Sequence, residues 1–282
     1  MTLRRGLGFW GRKVGATLNY DLSSEVGWLH CYSLAKRFPL YSGPCLRVRR
    51  DSDLNTLDIG FDGELVDLSA INAFCAGSTG RISIWYDQTG SGNNLVGIGA
   101  LPIIYQSGVS NYRMNVLSSG FEFNSDFQVT RDFSYITNTN GFTNPSVLPL
   151  NRRGGGNRGI SLSTFGSSNI RLTYYGVSDY NSQLTTSGLQ STGPTVNYTC
   201  WFHDYNTAFA ASSYVSTVQT FKDLGSRSIG TMLTTTIPTR LNVLYDVNGN
   251  ITGYGVGSIR ECFFFSVDQR NNMNIFNKKL EL

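Results

Sequence analysis

Acidic side chains, histidine, proline and long apolar runs are all scarce in this sequence. Glutamate occurs five times in 282 residues, and none falls between Glu122 and Glu261. Charged residues reach only 15% of the chain. Self-repulsion is then small and apolar surface ample, which excludes a natively unfolded chain. Long helices would need more Ala, Leu, Glu and Lys. No stretch approaches the ~18 consecutive apolar residues of a membrane-spanning helix, so no membrane insertion is expected. Only two histidines are present, and no two cysteines stand as CxxC. Zinc-type ligand spacing is therefore missing, and no metal and no other cofactor is expected. Arg152 to Arg158 (RRGGGNR) reads as one exposed loop and lacks the Gly-Lys-Ser/Thr ending of a phosphate loop. No nucleophile elbow accompanies His203-Asp204.

The net charge of +4 and pI near 8.8 fall short of the dense basic face that nucleic acids need, so no nucleic-acid partner is expected. The five cysteines (Cys31, Cys45, Cys75, Cys200 and Cys262) are scattered and odd in number. They read as buried thiols of a protein made in a reducing compartment. A Cys31–Cys45 disulfide has no support from spacing. The apolar run Gly6 to Trp10 behind Arg4-Arg5 is too short for a signal core and stops at Arg12-Lys13, so no signal peptide is expected. Residues 1–20, Gly-rich and basic, read as an N-terminal docking arm, with one domain over 21–282.

What is abundant points to β structure. Aromatics make up 13% and glycines number 31, suiting many short strands joined by tight turns. Arg81 to Tyr86 alternates cleanly, and Cys45 to Arg50 alternates with its arginines on one side. Further strands are expected at 101–106, 113–117, 120–124, 159–164, 169–175, 197–203, 207–211, 214–221, 240–245, 251–257 and 259–266. Asp246 to Asn250 reads as the tip of a hairpin. Short helices are expected at 28–38, at 67–74 with Asp67 or Ser69 as cap, and at 268–282. The whole predicts an all-β antiparallel sandwich with a few short helices.

Three residue groups carry the candidate chemistry. Asp51 with Asp53, and Asp58 with Asp62, follow the arginine strand and read as partners of Arg47, Arg49 and Arg50. In the turn Trp85 to Asn94, Tyr86, Asp87, Gln88 and Asn93 offer oxygens to backbone or ligand. Tyr198, Trp201, Asp204 and Tyr205 put aromatic rings beside a carboxylate, the combination sugar sites use; core packing is the competing reading.

Tyr32-Ser33-Leu34, Tyr41 to Pro44, Leu46 to Arg50, Asp58 to Phe61, Phe74-Cys75 and Trp85 to Asn93 resemble, in order, the start of the catalytic β-sandwich of fungal B-type α-L-arabinofuranosidases. They look closer still to the laminin-G/concanavalin A-like domains of bacteriophage virion proteins. Ile259 to Phe265, then Ser266 to Arg270, looks like the last strand and helix of such domains. The resemblance covers 32–108 and implies a jelly roll. It also implies two carboxyl groups about 5 Å apart for a retaining glycosidase. The family's Asp-x-Glu-Asn motif and its vicinal cysteine pair have no counterpart here, and Asp246 falls near the acid/base position. The expectation is therefore a non-catalytic virion structural protein, a capsid or tail appendage located in the virion. It would dock on other virion proteins through residues 1–20, form a homo-oligomer (a trimer), and bind a host surface glycan. An active arabinofuranosidase-type glycoside hydrolase is the alternative.

Overall fold

The computed structural model describes residues 21–125, 133–140, 150–154, 158–165, 169–175, 182–187, 196–204, 207–214, 219–226, 240–245, 251–267 and 269. Side-chain detail is confined to residues 21–125, 134–138, 240–243 and most of 251–269. The docking arm expected at 1–20 and the closing helix expected at 268–282 lie outside the described residues, Gln269 apart. Antiparallel strands dominate, and eighteen of them belong to one sheet that curls into a sandwich. The all-β jelly-roll-like architecture expected from the sequence is present.

The centre is the strand Ser258–Phe265. One edge pairs with Trp28–Ser33 (Cys31 opposite Phe263, Ser33 opposite Glu261) and the other with Phe133–Asn140. Its first residues also pair with Val109–Asn115. The opposing face comes from Leu46–Arg50 between Thr56–Ile59 and Gly80–Trp85, then Leu95–Gly99 and Ser119–Phe123. Tyr32, Trp85, Phe121, Phe123, Tyr135 and Phe264 fill the space between the faces, nearly or wholly buried. Their rings meet mainly edge-on or tilted, Phe123 on Phe264 at 5.4 Å and Tyr32 on Trp85 at 5.9 Å. Such geometry adds to what area burial alone provides.

Local chemistry explains most elements. Leu46 and Val48 point into the core while Arg47 and Arg49 point out. Arg47 forks onto Asp58 (2.8 Å twice), Arg49 reaches Asp51 and Arg50 binds Asp53. The Arg50 fork holds the Asp53 carboxyl down at about 2. Helix Leu68–Cys75 starts where the Asp67 side chain accepts from the Ala70 backbone N–H. Such a cap contributes about 1 kcal/mol.

Two expectations change. The helix expected over 28–38 is the strand Trp28–Ser33. Its last four residues are buried on both faces, which erases the two-residue alternation that marks a half-exposed strand. Of Arg152 to Arg158, expected as an exposed loop, 152–154 and 158 lie in paired strands, Leu150–Gly154 with Arg158–Phe165, and 155–157 lie outside the described residues.

On the outer side of the central strand, Arg37 and Glu261 form an ion pair of 2.5 Å with both side chains fully buried. Ser33 Oγ donates to the same carboxylate at 3.0 Å. Cys31, Cys45, Cys75 and Cys262 are buried free thiols. Burial carries the Cys262 thiol from the ordinary value near 9 up to about 12.

Removing one partner of the buried pair, as in Glu261→Ala, is expected to cost about 3–5 kcal/mol of stability in urea titration. The Cys262 shift sets an alkaline limit. Below pH 9 both states hold the proton; above it the unfolded chain releases it first, so stability should fall between pH 9 and about 12. Urea midpoints across that range check the sign.

Candidate functional site

The turn after Gly80–Trp85 is a buried polar corner. Asp87 is 2% exposed. Its Oδ1 accepts from the Cys31 and Thr89 backbone N–H groups at 2.8 and 3.0 Å. Its Oδ2 accepts from Thr89 Oγ1 at 2.9 Å and Ser91 Oγ at 2.5 Å, and faces His30 Nδ1 at 2.9 Å. Asn93 Nδ2 lies 3.2 Å from His30 Nε2. The carboxylate thus fixes the tautomer: the imidazole carries its proton on Nδ1 and accepts at Nε2. Gln88 completes the corner. Its Nε2 donates to the Ser33 and Ala35 carbonyls, both at 2.9 Å, and its Oε1 accepts from the Arg37 backbone N–H at 2.8 Å. Tyr32 Oη donates to the Asn93 carbonyl, and Asn93 Oδ1 accepts from the Ser125 N–H at 3.0 Å.

The trio Ser91, His30 and Asp87 is not wired as a nucleophilic triad. Serine and aspartate both face Nδ1, and Ser91 donates to Asp87. A triad needs the hydroxyl on the ring nitrogen opposite the carboxylate. Asp87, Gln88 and Asn93 fasten a turn to a sheet end. Tyr86 points elsewhere: its Oη donates to Asp58 at 2.8 Å, and burial first, then that bond, raises its hydroxyl to about 12. No group of three or more metal-ligating side chains occurs among the described residues.

Asp246 joins two strands that do pair, Val243–Tyr245 with Ile251–Tyr254. Its own position lies outside the described residues. The base of this hairpin is clamped by Asn242, which adopts φ 60°. Its Nδ2 lies within hydrogen-bonding distance of the Ser119, Val116 and Gly255 carbonyls, at 2.6, 3.0 and 3.1 Å. Asparagine enters this left-handed region more readily than most residues. Gly99, at φ 72°, sits so near Tyr254 Oη that a Cβ would come within 2.6 Å of it.

Of the aromatic group, Tyr198, Trp201 and Asp204 lie on strand Val196–Asp204. Trp201 pairs with Tyr135, a core residue, while Tyr198 pairs with Asn138 three positions away. Strand alternation puts those two positions on opposite faces, so the strand alone does not gather them. The side chains of these residues, and Tyr205 altogether, lie outside the described residues.

A family model described as "Alpha-L-arabinofuranosidase B, catalytic" matches residues 31–145. An arabinofuranosidase/B-xylosidase of Trichoderma koningii is 44% identical over 59 residues, 21% of this chain and 12% of that protein. A probable α-L-arabinofuranosidase B of Aspergillus fumigatus is 46% identical over 57 residues, 20% of this chain and 11% of that protein. A crystal structure of an arabinofuranosidase with arabinofuranosyl-α-1,2-xylobiose superposes at TM-score 0.66 and 14% identity, over 90% of this chain and 62% of that one. The scaffold is arabinofuranosidase-like. A GH54 α-L-arabinofuranosidase soaked with a cyclic sulfate inhibitor gives TM-score 0.63 at 14% identity, with the same coverage of both chains. This chain matches only about a tenth of the curated relatives' length.

These matches overturn the reading of a non-catalytic bacteriophage appendage located in the virion. The relatives matched by sequence are fungal arabinofuranosidases, and the matched model is a catalytic domain. The non-catalytic reading rested on the missing glutamate motif and the missing vicinal cysteine pair. Glycosidase chemistry asks for a pair of carboxyl groups, and aspartate meets that requirement as well as glutamate.

Replacing Asp87 by Ala strands the Cys31 and Thr89 amides inside the corner. The expected cost is about 3 kcal/mol or more in urea unfolding. The milder Asp87→Asn keeps an acceptor and should lose less.

Proposed function

We propose that this chain acts as a glycoside hydrolase of the α-L-arabinofuranosidase type. The observation that carries the reading is the match of residues 31–145 to the catalytic-domain model. Likeness of fold over 90% of the chain is in keeping with it. The reaction needs one carboxylic acid to protonate the departing glycosidic oxygen, and one carboxylate to attack the anomeric carbon or activate water. Asp246, between the two strands of the hairpin Val243–Tyr254, takes the acid/base role. With no glutamate between Glu122 and Glu261, the partner is an aspartate: Asp126, Asp132, Asp179, Asp204 or Asp223. Tyr198 or Trp201, which stand on opposite faces of their strand, would then supply a ring against which the sugar packs.

Purified protein is expected to release 4-nitrophenol from 4-nitrophenyl α-L-arabinofuranoside. Asp246→Asn should lower the rate about 10²–10⁴-fold, the usual weight of a general acid/base. The same scan over the five other aspartates identifies the second carboxyl by a comparable loss. Folded protein that releases nothing from this substrate defeats the reading.

A further inference from the structure

The corner around Asp87 contains a group that changes charge under mild conditions. Histidine is the side chain whose ordinary proton uptake falls between about pH 5 and 8. His30 and Asn93 are each 6% exposed. Asp87, on the turn, is the charged group facing the His30 ring among the described residues. Tyr32 and Cys31 bring titratable groups on the same strand as His30. Burial raises both the Tyr32 hydroxyl and the Cys31 thiol well above their ordinary values, so neither titrates in that range. The neighbouring rings of Phe123 and Phe264 carry no titratable group.

Two hydrogen bonds set how Asn93 faces this ring. The Ser125 backbone N–H only donates, so the Asn93 atom it meets at 3.0 Å is the carbonyl Oδ1. That turns Nδ2 toward His30 Nε2, 3.2 Å away, which accepts because Asp87 holds the ring proton on Nδ1. A second proton has one place to go, Nε2. There it meets the Asn93 Nδ2 hydrogens, donor against donor. The backbone of Asn93 is fastened: its carbonyl accepts from Tyr32, and its N–H donates to Ser91 Oγ at 3.2 Å. The side-chain amide is therefore the part that must turn over. Turning brings Oδ1 to the imidazolium, whose other N–H stays on Asp87. Nδ2 then faces the Ser125 N–H, and that bond is lost.

We propose that His30, Asn93 and Ser125 form a pH-operated latch, in which proton uptake by the ring turns the Asn93 amide and unfastens Ser125. Closed, the latch ties the chain just past Ser119–Phe123 to the turn that follows Gly80–Trp85. Asn124 keeps its own bonds to the Asn94 and Gly92 carbonyls, so release begins at Ser125.

Nuclear magnetic resonance of the full chain from about pH 8 to about pH 4.5 tests it. The His30 ring should carry its proton on Nδ1 alone at the alkaline end and on both nitrogens at the acid end. The Ser125 amide, at an exposed position, should lose about tenfold in hydrogen-exchange protection with the same midpoint. Protection is taken relative to an unstructured peptide at the same pH. His30→Gln, which takes up no proton, should leave Ser125 protection level across the range. Asn93→Asp should do likewise down to about pH 5, since one oxygen accepts from Ser125 and the other from the imidazolium. It serves should His30→Gln fail to fold. A ring that stays singly protonated, a doubly protonated ring with Ser125 unchanged, or a loss at Ser125 that persists in either variant overturns the proposal.

Discussion

The buried contact between Arg37 and Glu261 joins the segment before Leu46–Arg50 to the strand on which both sides of the sandwich depend. Ser258–Phe265 is hydrogen-bonded along both edges and almost wholly buried. A carboxylate in such a strand is costly unless it is paired and hydrogen-bonded. Arg37 and Ser33 meet that need, and Arg260 stands beside it. Arg37 is itself placed by Gln88, which grips the backbone at Ser33, Ala35 and Arg37. Three distant stretches of chain, around 33–37, 87–93 and 258–265, are thus fixed relative to one another by polar contacts rather than by packing alone.

A second polar cluster belongs to the same scaffold. The corner built on Asp87 and His30 is enclosed and internally satisfied, and its hydrogen bonds are directed at backbone. It supports the scaffold.

Much of the local architecture was legible along the chain. The alternation in Leu46–Arg50 and Gly80–Trp85, the Asp67 cap and the hairpin around Asp246 to Asn250 are short-range signals, set by side-chain period and turn chemistry. Asp51, Asp53 and Asp58 were legible as ion partners because they lie within a few residues of the turn; Asp62, expected among them, makes no ion pair among the described residues. Trp28–Ser33 was not legible as a strand, because burial on both faces removes the alternation. The function was misjudged for a related reason. The absent glutamate was read as an absent nucleophile, although either carboxylic side chain can meet the chemistry.

The sequence by itself determined the fold class, the turn-rich antiparallel strands and the inventory of carboxyl groups. Each follows from residue type and spacing over a few positions. Only the tertiary structure decided that Asp87 binds His30 and the Cys31 amide across 56 residues. It alone decided that Glu261 meets Arg37 across 224 residues. Sheet register brings such residues together, and register depends on how every intervening strand pairs.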